Sequence, residues 1–217
     1  MYQQLLSTLA HTPARLVAVS KTKPEEQILE LYAQGQRIFG ENKPQELNAK
    51  QEALPKDIEW HFIGHLQTNK VKYIAAYIAL IHSVDSLKLL QEIDKQAAKN
   101  NRVIDCLLQF KIAAEDTKFG LTLEDAQALL ADPAFASLQG VRIVGVMGMA
   151  TFTDDESQVC QEFRFLKQIF DQLKSTFFAA EPAFKEISMG MSDDYAIALE
   201  EGSTLIRIGT LLFGNRG

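Results

Sequence analysis

Cysteine is scarce in this sequence. Cys106 and Cys160 are the only two, and they form no CxxC pair. That excludes a disulfide-stapled scaffold and suits a reducing, cytoplasmic setting. Cys106 lies inside an apolar run and reads as a small core residue. Excess positive charge is missing too. The formal net charge of −6 argues against general affinity for nucleic acid or an anionic membrane, since both need clustered cations. No apolar run approaches the length that spans a bilayer, and the opening MYQQLLSTLA lacks the basic segment of a signal peptide. No Ser/Gly linker or low-complexity tract divides the chain, so one domain is expected over residues 1–217. Histidine is sparse. His61, His65 and His82 suggest a metal-dependent barrel hydrolase, but no HxH pair or acid cluster accompanies them, and no metal site is expected.

The chain does hold a repeated pattern of apolar run, turn signal and amphipathic stretch. Hydrophobic content of 47% and charged content of 23% are ordinary for a soluble globular protein. Strands are expected near residues 16–20, 37–41, 60–64, 79–85, 103–111, 141–150, 185–190 and 204–213. Between them, Leu87, Leu90, Ile93 and Ala97 recur at helical spacing, as do Val159, Phe163, Leu166, Phe170 and Leu173. Pro24 and Pro44 sit near helix starts, Ser86 and Thr122 are N-cap candidates, and residues 2–9 read as an extra leading helix. Eight βα units in one uninterrupted chain predict a (β/α)8 TIM barrel, slightly shorter than the ~250 residues typical of that fold. A doubly wound open sheet is the alternative. Eight strands in so short a chain favour closure.

Lys21 closes the first apolar run, Leu16-Val17-Ala18-Val19-Ser20, and shares a face with Val17 and Val19. A run apolar on both faces suggests a buried parallel strand, so the lysine projects from the carboxyl end, where α/β proteins place their chemistry. Desolvation there favours the neutral amine, the form that attacks a carbonyl. The alternative is a solvated lysine at a strand end. Barrels commonly seat phosphate at the loops after strands seven and eight. Here those loops carry Ser192, at an expected helix N-cap, and Gly209-Thr210, whose amides could face an anion. Asp193 and Asp194 beside Ser192 weigh against an anion. With Ile206 and Ile208 facing the outer helices, Arg207 points into the barrel. There it needs a ligand atom, water, or a carboxylate such as Glu41 or Asp85.

Five segments in order then carry a family resemblance. They are Val17-Ala18-Val19-Ser20-Lys21-Thr22-Lys23-Pro24, Phe39-Gly40-Glu41-Asn42, His61 to Lys70, Met189-Gly190-Met191-Ser192-Asp193-Asp194, and Arg207-Ile208-Gly209-Thr210. Together they closely resemble the pyridoxal phosphate homeostasis proteins (the YggS/PROSC family), from about Leu16 to Gly214. The resemblance implies a barrel like the N-terminal domain of alanine racemase, carrying one pyridoxal 5′-phosphate (PLP). It implies Lys21 as the Schiff-base lysine and Ser192, Gly209 and Thr210 at the phosphate. Arg207 would meet the pyridine nitrogen, Asn42 would lie beside the cofactor, and Ile63 and Met147 would stand in the pocket wall. Lys118 resembles a family lysine near the pocket mouth. Lys43-Pro44 after Asn42 departs from the Tyr-Val of many members, which leaves the adjoining loop open.

A cationic Arg207 beside the ring nitrogen would disfavour its protonation and weaken the ring as an electron sink. In the alanine racemase relatives, a second domain from the partner subunit supplies one of two acid–base groups. This chain stops at Gly217, and none of its tyrosines has an obvious claim to that role. The expectation is a monomeric cytoplasmic carrier that holds PLP, acts in vitamin B6 and amino-acid homeostasis, and hands the cofactor to PLP-requiring apo-enzymes. A PLP-dependent racemase is the alternative. A pure interaction module would leave Lys21 and Arg207 on one barrel face unexplained.

Overall fold

The computed structural model describes residues 1–114 and 119–214. Eight parallel strands, β1 (Arg15–Val19), β2 (Ile38–Glu41), β3 (Glu59–Phe62), β4 (Leu80–Val84), β5 (Ile104–Gln109), β6 (Val141–Met147), β7 (Glu186–Ser188) and β8 (Leu205–Ile208), pair in chain order. Val17 lies opposite Arg207 across the β1–β8 seam, which closes the barrel. Helices α1 (Tyr2–Leu9), α2 (Glu25–Ala33), α3 (Pro44–Ala53), α4 (Leu87–Lys99), α5 (Leu123–Ala131), α6 (Pro133–Ala136), α7 (Glu156–Thr176), α8 (Tyr195–Glu200) and α9 (Thr210–Phe213) accompany them, with a 3-10 turn at Thr68–Tyr73.

Strand alternation sorts the side chains into two cores. Phe39, Trp60, Phe62 and Ile81 face outward against the helices, where Leu90, Ile93, Phe163 and Leu166 meet them. Val17, Leu80, Leu107, Val144, Met147 and Leu205 fill the barrel's interior. Burying a side chain of this kind contributes roughly 1.5–3 kcal/mol, so the closed cylinder is held from both sides of its wall.

Helix starts follow the local chemistry. Ser86 accepts the Leu89 amide at 3.4 Å, Thr122 and Asp125 form a capping box, and Pro44 opens α3, where its missing amide is harmless. The eighth strand departs from expectation. It ends at Ile208, and residues 210–213 form α9 instead of continuing the strand. The Gly209 carbonyl turns back to accept the Leu212 and Phe213 amides at 3.0 Å each, which starts a helical turn at the barrel rim.

Candidate functional site

A cavity of ≈ 440 Å³ opens at the carboxyl end of the strands, within the ~300–1,000 Å³ usual for small-ligand sites. Lys21, Asn42, Ile63, Ser192, Arg207, Gly209 and Thr210 all line it. Met147 does not. It packs at 1% exposure in the inner core below the cavity, and Met149, beyond the strand end, takes the wall position instead. Lys118 lies outside the described residues. Val19 and Ile63 supply apolar wall, His65, which the sequence suggests only as a metal ligand, joins the lining, and Gln109, Phe119 and Phe152 add lining that the motifs gave no reason to single out.

The backbone bearing Lys21 is clamped from outside the barrel. Lys50 Nζ, on α3, donates to the Ser20 carbonyl at 2.7 Å, to Glu41 Oε1 at 2.8 Å and to Glu46 Oε1 at 2.7 Å. Ser20 Oγ donates to the same Glu41 oxygen at 2.7 Å, and the Thr22 amide donates to Glu46 at 2.5 Å. Thr22 sits at φ +64°, a left-handed conformation that a β-branched residue adopts only when its surroundings hold it there. Burial raises the Glu41 carboxyl above its ordinary range, against the pull of Lys50 and Ser20. The acids considered for Arg207 are therefore engaged elsewhere: Glu41 with Lys50, and Asp85 3.7 Å from His65.

Asn42 reaches its place because residue 64 is glycine. A Cβ there would lie 2.5 Å from the Asn42 carbonyl oxygen and 2.8 Å from its Cα, so the two loops touch backbone to backbone. The Asn42 side-chain oxygen is buried and, among the described residues, has no hydrogen-bond donor. Ser192 is not the helix cap expected of it. Asp194 takes the N-cap position of α8 and accepts the Met191 amide at 2.5 Å, while Ser192 Oγ accepts the Leu211 amide of α9 at 3.5 Å. Lys23 donates to the Phe213 and Gly214 carbonyls at 3.1 and 3.3 Å, which ties the β1 loop to the same corner.

Arg207 is 4% exposed and donates to neutral oxygens: Ser188 Oγ at 2.6 Å and the Gly148 carbonyl at 3.1 Å. Burial brings its pKa down to about 10 against the opposing pull of Asp194, so it is cationic at neutral pH. Among the described residues, no group of three or more His, Cys, Asp or Glu side chains could hold a metal ion. His61 and His82 meet inside the barrel, while His65 stacks on Phe119 at the opposite rim with ring centroids 3.7 Å apart.

The closed parallel barrel, with its lysine just beyond strand one and arginine on strand eight, is an alanine racemase-type barrel. The family model described as "Alanine racemase, N-terminal domain" matches residues 2–217. Within that class the chain belongs to the pyridoxal phosphate homeostasis proteins. The member from Aquifex aeolicus is 44% identical over 204 residues, which is 94% of this chain and 87% of that protein. PipY of Synechococcus elongatus, solved without PLP, superposes with a TM-score of 0.89 at 36% identity, covering 98% of this chain and 99% of PipY. PipY with PLP bound gives a TM-score of 0.85 at the same identity and coverage.

Proposed function

We propose that this chain binds pyridoxal 5′-phosphate in the carboxyl-end cavity and acts in vitamin B6 homeostasis as a holder of the cofactor. The observation that carries this reading is the gathering of Lys21, the orphaned Asn42 oxygen and the carboxylate-free Arg207 around one small cavity. The group fits the residues present. The lone Asn42 acceptor suits a phenolic hydroxyl, and the N–H groups that Arg207 has to spare suit an aromatic ring nitrogen. The walls of Val19 and Ile63 suit a flat ring. Ser192, Gly209 and Thr210 line the corner assigned to the phosphate.

When bound, the cofactor would supply an aldehyde group open to reversible condensation with a primary amine, with loss of water. Lys21 is that amine, held in place by the clamp on Ser20 and Thr22. Arg207 would face the ring nitrogen as a donor that keeps its own proton, which would leave the ring a weak electron sink. Among the described residues, no tyrosine lines the cavity. Both features favour holding and handing over the cofactor above racemisation. We place this role in the cytoplasm, with a monomeric chain and PLP-requiring apo-enzymes as acceptors. Among the described residues, no helix is long and apolar enough to cross a membrane.

Borohydride reduction of the PLP-treated protein, followed by peptide mass spectrometry, tests the chemistry. A pyridoxyl adduct on Lys21, together with a visible absorption absent from Lys21→Ala, is the expected result. An adduct spread over surface lysines, with Lys21→Ala unchanged, would overturn it. Mixing the loaded protein with a PLP-requiring apo-enzyme tests the handover. Activation no faster than free PLP release accounts for would rule out a direct transfer.

A further inference from the structure

Below the cavity, a line of buried polar side chains crosses the barrel. Arg207 Nη1 donates to Ser188 Oγ at 2.6 Å, Ser188 Oγ lies 2.9 Å from His82 Nδ1, and His82 Nε2 lies 3.0 Å from His61 Nδ1. Ser188 and His82 are fully buried, and His61 is 3% exposed. Burial, reinforced by nearby positive groups, pushes both histidines well below their usual range, His61 to about 3. Both rings are therefore neutral at neutral pH, and each has one donor nitrogen and one acceptor nitrogen.

The direction of every bond follows from Arg207, which can only donate. Ser188 Oγ accepts from it. Among the described residues, the only other partner of that hydroxyl is His82. Its hydrogen goes to Nδ1 of His82, because the opposite arrangement would leave a buried hydroxyl hydrogen with no acceptor. His82 then carries its hydrogen on Nε2 and donates to Nδ1 of His61. The far edge of His61 opens on a second cavity, ≈ 330 Å³, at the other barrel mouth, where Glu59, Asp105 and Glu186 stand. The donors thus run in one sense, away from Arg207. No carboxylate joins the line, so the guanidinium is oriented without being neutralised.

We propose that His82, acting through Ser188, is the positioning residue that fixes the guanidinium of Arg207 toward the ring of the bound cofactor, with both barrel histidines in the Nε2–H form. The part concerning the ring rests on the PLP reading above; the tautomers do not. Nitrogen-15 spectra of the histidine side chains in ligand-free protein read them directly. Hydrogen on Nε2 of both His61 and His82 across neutral pH is expected, and hydrogen on Nδ1 of His82 would overturn the assignment. PLP titrations then compare variants by affinity and by the visible band. His82→Leu removes the acceptor, and His82→Asn places a carbonyl oxygen near the position of Nδ1. Ser188→Ala breaks the bridge without touching either ring and keeps the test informative if His82→Leu fails to fold.

Loss of affinity by about ten-fold with a displaced absorption band is expected for His82→Leu and Ser188→Ala, together with near-normal behaviour of His82→Asn. Wild-type affinity and spectrum in both disruptive variants would overturn the positioning role. A wild-type protein that takes up no PLP would instead sink the functional reading. The ligand-free nitrogen spectra would still decide the direction of the chain.

Discussion

Lys50 shows how a single residue on a helix outside the barrel can govern the strand end inside it. Its side chain is 7% exposed, and its ammonium touches Glu41, whose side chain is fully buried, along with Glu46 and the Ser20 carbonyl. Breaking a buried pair from one side leaves a charge without a partner, which costs more than the intact pair contributes. Lys50→Met should therefore destabilise the fold by about 3–5 kcal/mol, read as a drop in the urea midpoint. The double variant Glu41→Leu/Lys50→Met should recover most of that loss. A double variant as unstable as the single one would show that the clamp contributes more than charge balance. The sequence made Lys21 and Arg207 legible because a charge closing or interrupting an apolar strand has few explanations. Lys50 was not legible. Four residues after Glu46 on a mixed polar helix, it reads as one more solvated pair, and only closure of β2 against α3 makes it a buried one. Ser188 escaped notice, and His82 was legible only as a candidate metal ligand, for a related reason, since a strand serine and a strand histidine gain this role only when barrel closure sets them beside Arg207.

At the scale of elements, the strands and their order were legible because short continuous apolar runs separated by helical patterns leave little choice of architecture. Their ends were not. The run from Thr204 to Phe213 reads as one strand by hydrophobicity, yet Gly209 turns it into α9. Which loops make the cavity rim was equally hidden. The turn after β5 and the turn after β6 are joined by Glu162 of α7, which accepts the Thr151 amide at 2.7 Å, Thr151 Oγ1 at 2.7 Å and the Ala114 amide at 3.1 Å. Burial alone would raise this carboxyl, but the bonds from Thr151, Gln158 and Ala114 outweigh it and hold the group below its ordinary range. Glu162→Gln replaces one accepting oxygen with a donor that faces other donors. A loss of about 1.5–3 kcal/mol is expected from bonds to a charged group. Amide hydrogen exchange at Ala114 and Thr151 should accelerate while the amides of β1 and β8 keep their protection. Uniform loss of protection across the barrel would mean that α7 docks as part of the global fold and not as a local tie between two rim loops.

For the molecule as a whole, the neutral histidines inside the barrel set a direction for stability against pH. Their folded pKa values lie below the ordinary 6.5, and the value for His61 is about 3. Above 6.5 each ring is neutral whether the chain is folded or not, so stability is unaffected. Below it the unfolded chain takes up a proton that the folded chain refuses, and stability falls as pH drops toward the folded value. At about pH 5 the His61 ring should cost the fold about 2 kcal/mol from a total that for single domains is only ~5–15 kcal/mol, and His82 acts in the same direction. Glu41 acts in the opposite sense. Its raised pKa favours the folded state on the acid side, with that gain lost as pH rises through the folded value. Glu162 begins to lose stability only as pH falls below its ordinary 4.5. In the window between 6.5 and about 5 the histidines and Glu41 therefore act in opposite senses, and comparison with a histidine variant that leaves Glu41 in place separates them. Urea unfolding across that window should show a loss toward acid pH in the wild-type chain and a shallower loss in His82→Asn, which keeps the hydrogen bond to Ser188 but has no ring to titrate. An unchanged slope in that variant would place the acid sensitivity elsewhere, and with it the neutral line of donors beneath Arg207 would lose its thermodynamic support.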